Sequence, residues 1–229
     1  MEYSATMTAD KPVDTANSLS LQDFYDQLIP SAMKDKAQCI QPNVVNTLRC
    51  PDALSPSHVL SLETATTVAK DDLGACFDLI VTTSSTDYAA SSIGWHPSQK
   101  KREMRLPDLR YLLVKSRGRI RPLEAFLSFM LTYEDGHEVV YCYEVHMMSH
   151  LQGKGLGRYL MEIVEQVGAR AGMEKVMLTA FLSNKGALGF YKKLRYSEDE
   201  YSPEPRTLRN GTVKLPDFVI LSKPLDACL

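Results

Sequence analysis

Gln152-Gly153-Lys154-Gly155-Leu156-Gly157 lies between an apolar run typical of a strand, Val139 to Met148, and a segment with the apolar spacing of a helix. Glycine has no Cβ, so the backbone of this turn can approach a ligand closely. The first N–H groups of the following helix have no intrahelical acceptor and lie at the positive end of the helix dipole. The stretch therefore predicts a turn that binds an anion, such as a pyrophosphate.

The segments on either side of this turn predict an α/β fold. The helix after it ends near Gly172. Before it, strand-like segments joined by short turns predict an antiparallel meander over residues 110–114, 122–133 and 138–148. Beyond it we predict a strand over 175–182, a helix over 184–194 and a short strand over 218–221. Because strand, helix, strand order implies a right-handed crossover, we expect a mixed central sheet flanked by helices.

The first part of the chain has weaker patterns. Residues 1–18 have little periodicity and predict a flexible N-terminal tail. One helix face is predicted from Leu21 to Leu28, with Ser20 as its N-cap and Pro30 as its stop, and a second helix over residues 73–88. We therefore expect one domain over residues 19–229, with an N-terminal helical extension over about 19–57.

Composition and charge exclude several classes of protein. Of the 229 residues, 44% are apolar and 24% charged, as in ordinary globular proteins. The formal charge of −2 indicates no direct nucleic-acid partner, and the absence of a run of ~20 apolar residues indicates no membrane partner. The five scattered cysteines predict reduced thiols in the cytosol or nucleus. The five histidines lack metal-binding spacing, so we expect no metal.

The spacing Gln152-x-x-Gly155-x-Gly157 fits neither the dinucleotide fingerprint nor the Walker loop. It resembles the acetyl-CoA signature of the GNAT acetyltransferase superfamily: Gln or Arg, two residues, Gly, one residue, then Gly or Ala. That resemblance implies a GNAT fold and acetyl-CoA as cofactor. It also implies that backbone amides of a bulge near Val145, His146 and Met147 hold the acetyl carbonyl and pantetheine. The cofactor-binding residues implied are Val145, His146, Met147, Gln152, Gly153, Lys154, Gly155, Leu156, Gly157, Thr179, Asn184 and Tyr191.

A narrower resemblance extends over roughly residues 72–221. The blocks that carry it are Tyr141-Cys142-Tyr143-Glu144-Val145, Lys154-Gly155-Leu156-Gly157, Lys175-Val176-Met177-Leu178-Thr179, Gly94-Trp95 and Lys101-Arg102-Glu103-Met104. They resemble the histone-specific branch of the superfamily, the N-terminal acetyltransferase D enzymes. This implies transfer of acetyl to the serine α-amine of histone tails beginning Ser-Gly-Arg-Gly, of types four and two-A, in the cytoplasm and nucleus. It leaves association with the ribosome open.

The same resemblance implies a catalytic role for Glu144, with Tyr141 as a proton relay. A free α-amine has a pKa of ~8, so a carboxylate acting through a water is a sufficient base. In a regular strand, Tyr141 and Tyr143 point away from Glu144, and a β-bulge could bring the three together. The implied substrate-binding residues are Tyr88, Trp95, Thr132, Glu134, Tyr143, Asp199 and Phe218. Thr132 and Phe218 depart from the family, which has aspartate and tyrosine there.

Two other functions fit the sequence. A lysine or small-amine acetyltransferase would use the same cofactor turn and the same fold. A histone-tail binding module without catalysis would keep the fold but would not need the glycine-rich turn. The turn therefore favours an enzyme.

Overall fold

A computed structural model describes residues 11–35 and 46–226 of the chain. Its helices are α1 (Pro12–Ser18), α2 (Leu21–Leu28), α3 (Lys70–Ala90), α4 (Pro97–Glu103), α5 (Leu156–Ala171) and α6 (Lys185–Lys193). Its strands are β1 (Thr47–Leu48), β2 (His58–Thr64), β3 (Arg110–Ser116), β4 (Leu123–Glu134), β5 (His137–Met147), β6 (Lys175–Phe181), β7 (Ser197–Glu198), β8 (Arg206–Thr207), β9 (Val213–Lys214) and β10 (Phe218–Pro224). A 3-10 turn, Ser149–Leu151, joins β5 to the glycine-rich stretch.

Eight strands form one mixed sheet in the order β1-β2-β3-β4-β5-β6-β10-β7, and β8 pairs with β9 separately. Neighbouring strands are antiparallel except β5 and β6, which run parallel. The connection between those two strands is α5, so the parallel pair that the strand, helix, strand order predicts is confirmed.

Helices pack on both faces of the sheet. On one face, α1, α2 and α5 cover a core that includes Leu60, Leu127 and Val140. On the other, α3 and the residues around α4 cover a core that includes Tyr111 and Phe126. Because β3 and β4 are buried on both faces, their sequences are nearly continuous apolar runs.

Strands β5 and β6 are paired at only one end. Their register extends from Val139 opposite Lys175 to Cys142 opposite Leu178. Beyond Cys142, β5 continues to Met147 and β6 to Phe181 without pairing to each other. The two strands therefore separate, and we call the gap between them the strand fork.

A β-bulge in β5 lies at the start of the strand fork. Ser128 pairs with Glu144 and the next residue, Phe129, pairs with Cys142, so Tyr143 is the extra residue. The resemblance implied a bulge near Val145 to Met147. Its position is corrected, because the register shift falls earlier in the strand, at Tyr143. Its effect is the one expected, since Tyr141, Tyr143 and Glu144 now lie toward the same face of the sheet.

The structure confirms most predicted elements and corrects one segment. Helix α2 begins after Ser20, whose side chain accepts the Asp23 N–H as a cap. Residues 12–18 were predicted to belong to a tail, yet they form α1 with Val13 and Ala16 buried. Residues 1–10 lie outside the described part. Unpredicted elements are helix α4 and strands β1, β2, β7, β8 and β9, of which β1 lies within the expected N-terminal helical extension. None of the helices in the described residues is both long and apolar enough to span a bilayer.

Candidate active site

Two cavities meet beside the β5 bulge. The fork cavity is lined by Ser84, Tyr88, Cys142, Tyr143, Glu144, Val145, His146, Leu178, Thr179, Ala180, Phe181, Asn184, Ala187 and Tyr191. The acidic cavity, of about 290 Å³, is lined by Tyr88, Ile93, Lys100, Glu103, Glu134, Tyr141, Tyr143, Thr179 and Phe181. Tyr88, Tyr143, Thr179 and Phe181 line both. A molecule in one cavity could therefore meet a molecule in the other at these four side chains.

The glycine-rich turn leads directly into α5. Gly153 and Gly155 have φ values of 73° and 84°, in the left-handed region that favours glycine. A Cβ at either position would have no atom within 4 Å, so both face open space. Gly155 is the N-cap of α5 and provides no capping side chain, and the first turn contains no acidic residue. The first amides of α5 are thus available to an anion.

Gly157 has a different structural reason to be glycine. A Cβ there would lie 3.2 Å from Met147 Cε and 3.2 Å from Phe190 Cζ. Its small size therefore allows α5 to pack closely against β5 and α6. Met147 and Leu156 accordingly pack in the core beside the turn, while Gln152 and Lys154 are exposed at its surface.

Several predicted cofactor residues lie around the strand fork. Val145, His146, Thr179 and the buried Tyr191 line the fork cavity. Asn184 also lines it, and its side chain accepts the Ala187 N–H at 3.0 Å as the N-cap of α6. The Asn184 side-chain oxygen therefore has a structural role in addition to any contact with a ligand.

Glu144 is the centre of a buried hydrogen-bond cluster. Its Oε1 accepts from Lys100 Nζ at 2.8 Å and from the Tyr88 hydroxyl at 2.9 Å. Its Oε2 lies 2.5 Å from His146 Nε2, and His146 Nδ1 lies 2.6 Å from Thr83 Oγ1. Side chains of α3 and α4 therefore hold the Glu144 carboxylate of β5 in a fixed position.

The cluster keeps Glu144 ionised. Burial alone would raise the pKa of this carboxyl, but the charges and hydrogen bonds of His146 and Lys100 outweigh burial and lower the pKa to about 2. Conversely, burial opposes the charge of Lys100, yet Glu144 beside it holds the Lys100 pKa above its usual range. Burial also raises the pKa of Tyr88 well above 10. At neutral pH the cluster therefore contains a carboxylate, an ammonium and a neutral phenol.

Lys100 was missed as a site residue. In the sequence it belongs to a basic run with Lys101 and Arg102, a pattern typical of solvated surface charge. In α4 the side chain is only 9% exposed and binds both Glu144 and Glu103. Its spacing of four residues from the buried Met104 places both on one helix face, a signal that could have identified it.

The bulge brings two tyrosines into the acidic cavity. The Tyr141 and Tyr143 ring centroids are 5.3 Å apart, and the Tyr141 hydroxyl lies 2.6 Å from Thr179 Oγ1. Burial raises the pKa of Tyr141, and burial with the nearby Glu134 raises that of Tyr143 to about 12. Both side chains therefore present protonated hydroxyls.

Glu134 lines the acidic cavity. Among the described residues, its side chain makes no ion pair and no hydrogen bond. Burial, with a contribution from Asp135, raises the pKa of its carboxyl. Glu103, by contrast, is paired with Lys100 at 2.5 Å. Trp95 lies beside this cavity, with its ring centroid 5.5 Å from that of Tyr88. The cavity thus offers an available carboxylate next to aromatic walls.

Three predicted substrate residues lie elsewhere. Asp199 is buried and its Oδ2 binds Lys175 Nζ at 2.7 Å, so this carboxylate is already paired. Neither it, nor Thr132 on β4, nor Phe218 at the start of β10 lines the cavities described above. Substrate contact therefore stays a prediction for Asp199, Thr132 and Phe218, without support from the geometry of these cavities.

Comparison with known proteins places this site in a family. Residues 77–196, more than half of the chain, match the model of the Acetyltransferase (GNAT) family. The chain belongs to the GNAT acetyltransferase family. Members of this family use acetyl-CoA, which is therefore the cofactor of this chain. The fold and cofactor implied by the glycine-rich turn are confirmed.

Individual relatives agree with this membership. The chain is 34% identical over 126 residues to N-alpha-acetyltransferase 40 of Saccharomyces cerevisiae, across 47% of this chain and 43% of the yeast protein. It thus spans less than half the length of that curated relative.

Two solved structures share the GNAT fold at low sequence identity. One is Arabidopsis thaliana NAA60 in complex with a bisubstrate analogue, at 11% identity and a TM-score of 0.52, covering 74% of this chain and 99% of that one. The other is smu.2055 of Streptococcus mutans, at 19% identity and a TM-score of 0.52, covering 73% and 99%. At these identities the likeness concerns the fold alone.

The residues of this GNAT acetyltransferase fit acetyl-CoA. The open, uncapped turn at Gly153 and Gly155 suits a pyrophosphate, with Lys154 beside it. The strand fork exposes backbone groups of β5 that β6 does not pair, which suits the amide-containing pantetheine chain. When bound, acetyl-CoA supplies an activated acetyl thioester, and the chain's own residues would position it at the junction of the two cavities.

Proposed function

We propose that this enzyme is an N-α-acetyltransferase that acetylates the serine α-amine of histone tails beginning Ser-Gly-Arg-Gly, of types four and two-A. The observation that carries the proposal is the junction of the strand fork with a cavity of net acidic character. Within the described part of the chain, Lys100 is the one basic residue lining that cavity, against Glu103 and Glu134. An acidic cavity attracts a cationic peptide N-terminus and an arginine side chain.

Glu144 is the proposed proton acceptor, acting through a water. Its low pKa makes it a weak base toward a free ammonium group. About a tenth of α-amines with a pKa of ~8 are already neutral at pH 7, however. A nitrogen that has begun to bond to an acyl carbon is also far more acidic than a free ammonium. A carboxylate held ionised in position is then sufficient.

The surrounding side chains have proposed roles in this step. Tyr88, which donates to Glu144, and Tyr143 form the wall at which the serine lies. Tyr141, bonded to Thr179, is the proposed relay for the proton. Trp95 supports the wall through its contact with Tyr88. The direct attack needs no covalent intermediate on the enzyme.

The test is an acetylation assay with matched peptides. A Ser-Gly-Arg-Gly peptide with a free α-amine and acetylated lysines should be modified, whereas the same peptide with a blocked α-amine and free lysines should not. Turnover confined to the second peptide would instead identify a lysine acetyltransferase, and turnover confined to spermidine a small-amine acetyltransferase. Tail binding without turnover and without CoA binding in calorimetry would identify a binding module.

The cellular setting follows from the proposed substrate. Histones are made in the cytoplasm and assembled in the nucleus, so we propose both compartments for the enzyme. Association with the ribosome stays a prediction, which co-sedimentation of the full chain with ribosomes would test.

A further inference from the structure

We infer that His58, Glu124 and His150 form a Zn²⁺ site outside the two cavities of the active site. Nε2 of His58 lies 3.0 Å from Oε2 of Glu124, and Nε2 of His150 lies 2.9 Å from the same oxygen. The three ligand atoms all lie within 4.8 Å of one another. Two imidazole nitrogens and one carboxylate oxygen are a typical Zn²⁺ donor set, with water as a fourth ligand.

Three separate elements deliver these side chains. His58 begins β2 and is buried on the face of the sheet that α5 covers, together with Leu60. Glu124 is the extra residue of a bulge in β4, because Val114 pairs with Ala125 while Lys115 pairs with Leu123. A bulge redirects a side chain, here toward His58. The fold therefore specifically orients two of the three ligands.

A hydrogen bond behind His58 favours the tautomer that binds metal. Ser57 Oγ lies 2.8 Å from His58 Nδ1 and donates to the Leu54 carbonyl at 3.3 Å. A hydroxyl whose proton is used in this way accepts the Nδ1–H. In that tautomer Nε2 carries a lone pair and can bind a cation together with Glu124 Oε2, which lies 3.0 Å away. Such a partner on the second nitrogen is the usual arrangement of a metal-binding histidine.

The third ligand, His150, is open to solvent and lies next to the glycine-rich stretch. The His150 side chain is 55% exposed, so an ion can enter from solvent. His150 belongs to the Ser149–Leu151 turn, which immediately precedes Gln152 of the glycine-rich stretch. A bound ion would therefore fasten this turn to β2 and β4. The sequence did not reveal the site, because Glu124 is 66 residues from His58 and 26 from His150.

The chain contains a natural comparison for this site. His137 Nδ1 lies 2.7 Å from Glu174 Oε2 at the surface. This pair has the same two residue types, but no second histidine belongs to a metal-competent group with it among the described residues. The His137–Glu174 pair therefore serves as the control for Zn²⁺ binding by a single histidine and a single glutamate.

The experiment is a Zn²⁺ titration of the full chain after removal of metal with a chelator. Calorimetry should give one saturable Zn²⁺ per chain, and Zn²⁺ should raise the Tm. His150→Ala and Glu124→Gln should each weaken the affinity at least about tenfold, whereas His137→Ala should not change it. Co²⁺ should give the visible absorption of a four-coordinate site in the wild type and lose it in His150→Ala. No acetylation is measured, so the result is independent of the proposed function.

Two results would overturn the inference. One is the absence of saturable binding by the wild-type chain. The other is unchanged Zn²⁺ affinity in His150→Ala, which would assign the binding to other groups. His150 is exposed, so its removal should leave the fold intact, and circular dichroism of the variant checks this. If Glu124→Gln unfolds, His150→Ala and the Co²⁺ spectrum still decide the question.

Discussion

Lys100 Nζ and Glu144 Oε1 lie 2.8 Å apart, although 44 residues separate them in the chain. Both side chains are less than a tenth exposed. Their ion pair joins α4 to the bulged part of β5, and the Tyr88 hydroxyl contacts both members. The pair therefore links the wall of the acidic cavity to the carboxylate proposed to accept the proton.

Replacement of Lys100 should destabilise the enzyme strongly. Lys100→Met leaves the buried Glu144 carboxylate without its ammonium partner, a change that typically costs about 3–5 kcal/mol. Urea denaturation at pH 7 measures this loss. Arg102→Met on the exposed side of the same helix is the control and should change stability by less than ~0.5 kcal/mol. Equal losses in the two variants would contradict the importance of the pair.

The burial of Lys100 is not predictable from the sequence pattern. Periodicity predicted α5 and the meander because their apolar faces pack on one continuous sheet. A basic run such as Lys100-Lys101-Arg102 has no apolar period, and its burial depends on a carboxylate that only the folded chain brings near. The position of the bulge at Tyr143 is likewise not given by the sequence pattern, because one extra residue in a strand leaves the composition unchanged.

Acid should reduce the contribution of Glu144 to stability. Its pKa is about 2 in the folded enzyme against 4.5 for the free side chain, so below pH 4.5 the unfolded chain binds a proton that the folded one does not. This contribution is fully present above pH 4.5 and is lost as the pH falls toward 2. The stability difference between wild type and Glu144→Gln should therefore shrink by about 1.4 kcal/mol per pH unit below 4.5.

Urea denaturation of both proteins at pH 7, 5, 4 and 3 measures this difference. Other carboxyls with lowered pKa values, such as Glu124 and Asp199, affect both proteins equally and cancel. A difference that stays constant from pH 7 to pH 3 would show that the Glu144 pKa is not depressed in the folded state.

Gly155→Ala should weaken acetyl-CoA binding more than it weakens the fold. The φ of 84° costs alanine about 1–2 kcal/mol, or the turn changes shape to avoid it. A changed turn misdirects amides that bind the pyrophosphate, and hydrogen bonds to charged groups are worth ~1.5–3 kcal/mol each. The KM for acetyl-CoA should rise at least about tenfold, since 1.4 kcal/mol is a factor of ten.

Gly74→Ala is the matched control for that change. Gly74 lies inside α3, where an added Cβ meets no atom within 4 Å. Alanine should stabilise the helix by about 0.5–1 kcal/mol and leave the KM unchanged. If Gly155→Ala kept the wild-type KM, the turn would not bind the pyrophosphate.

Glu134 should contribute to peptide selection through its available carboxylate. With a Ser-Gly-Arg-Gly peptide, Glu134→Gln should raise the KM about tenfold, because a charge-assisted hydrogen bond is worth ~1.5–3 kcal/mol. With a Ser-Gly-Gln-Gly peptide, the same substitution should have little effect, and the two changes together form a double-mutant cycle. Glu138→Gln, on the neighbouring strand and outside the cavity lining, is the control. If Glu134 contacts the arginine, the effect of Glu134→Gln on KM should be lost with the glutamine peptide. Equal effects on both peptides would contradict that contact and mean that Glu134 contacts the α-amine or shapes the cavity.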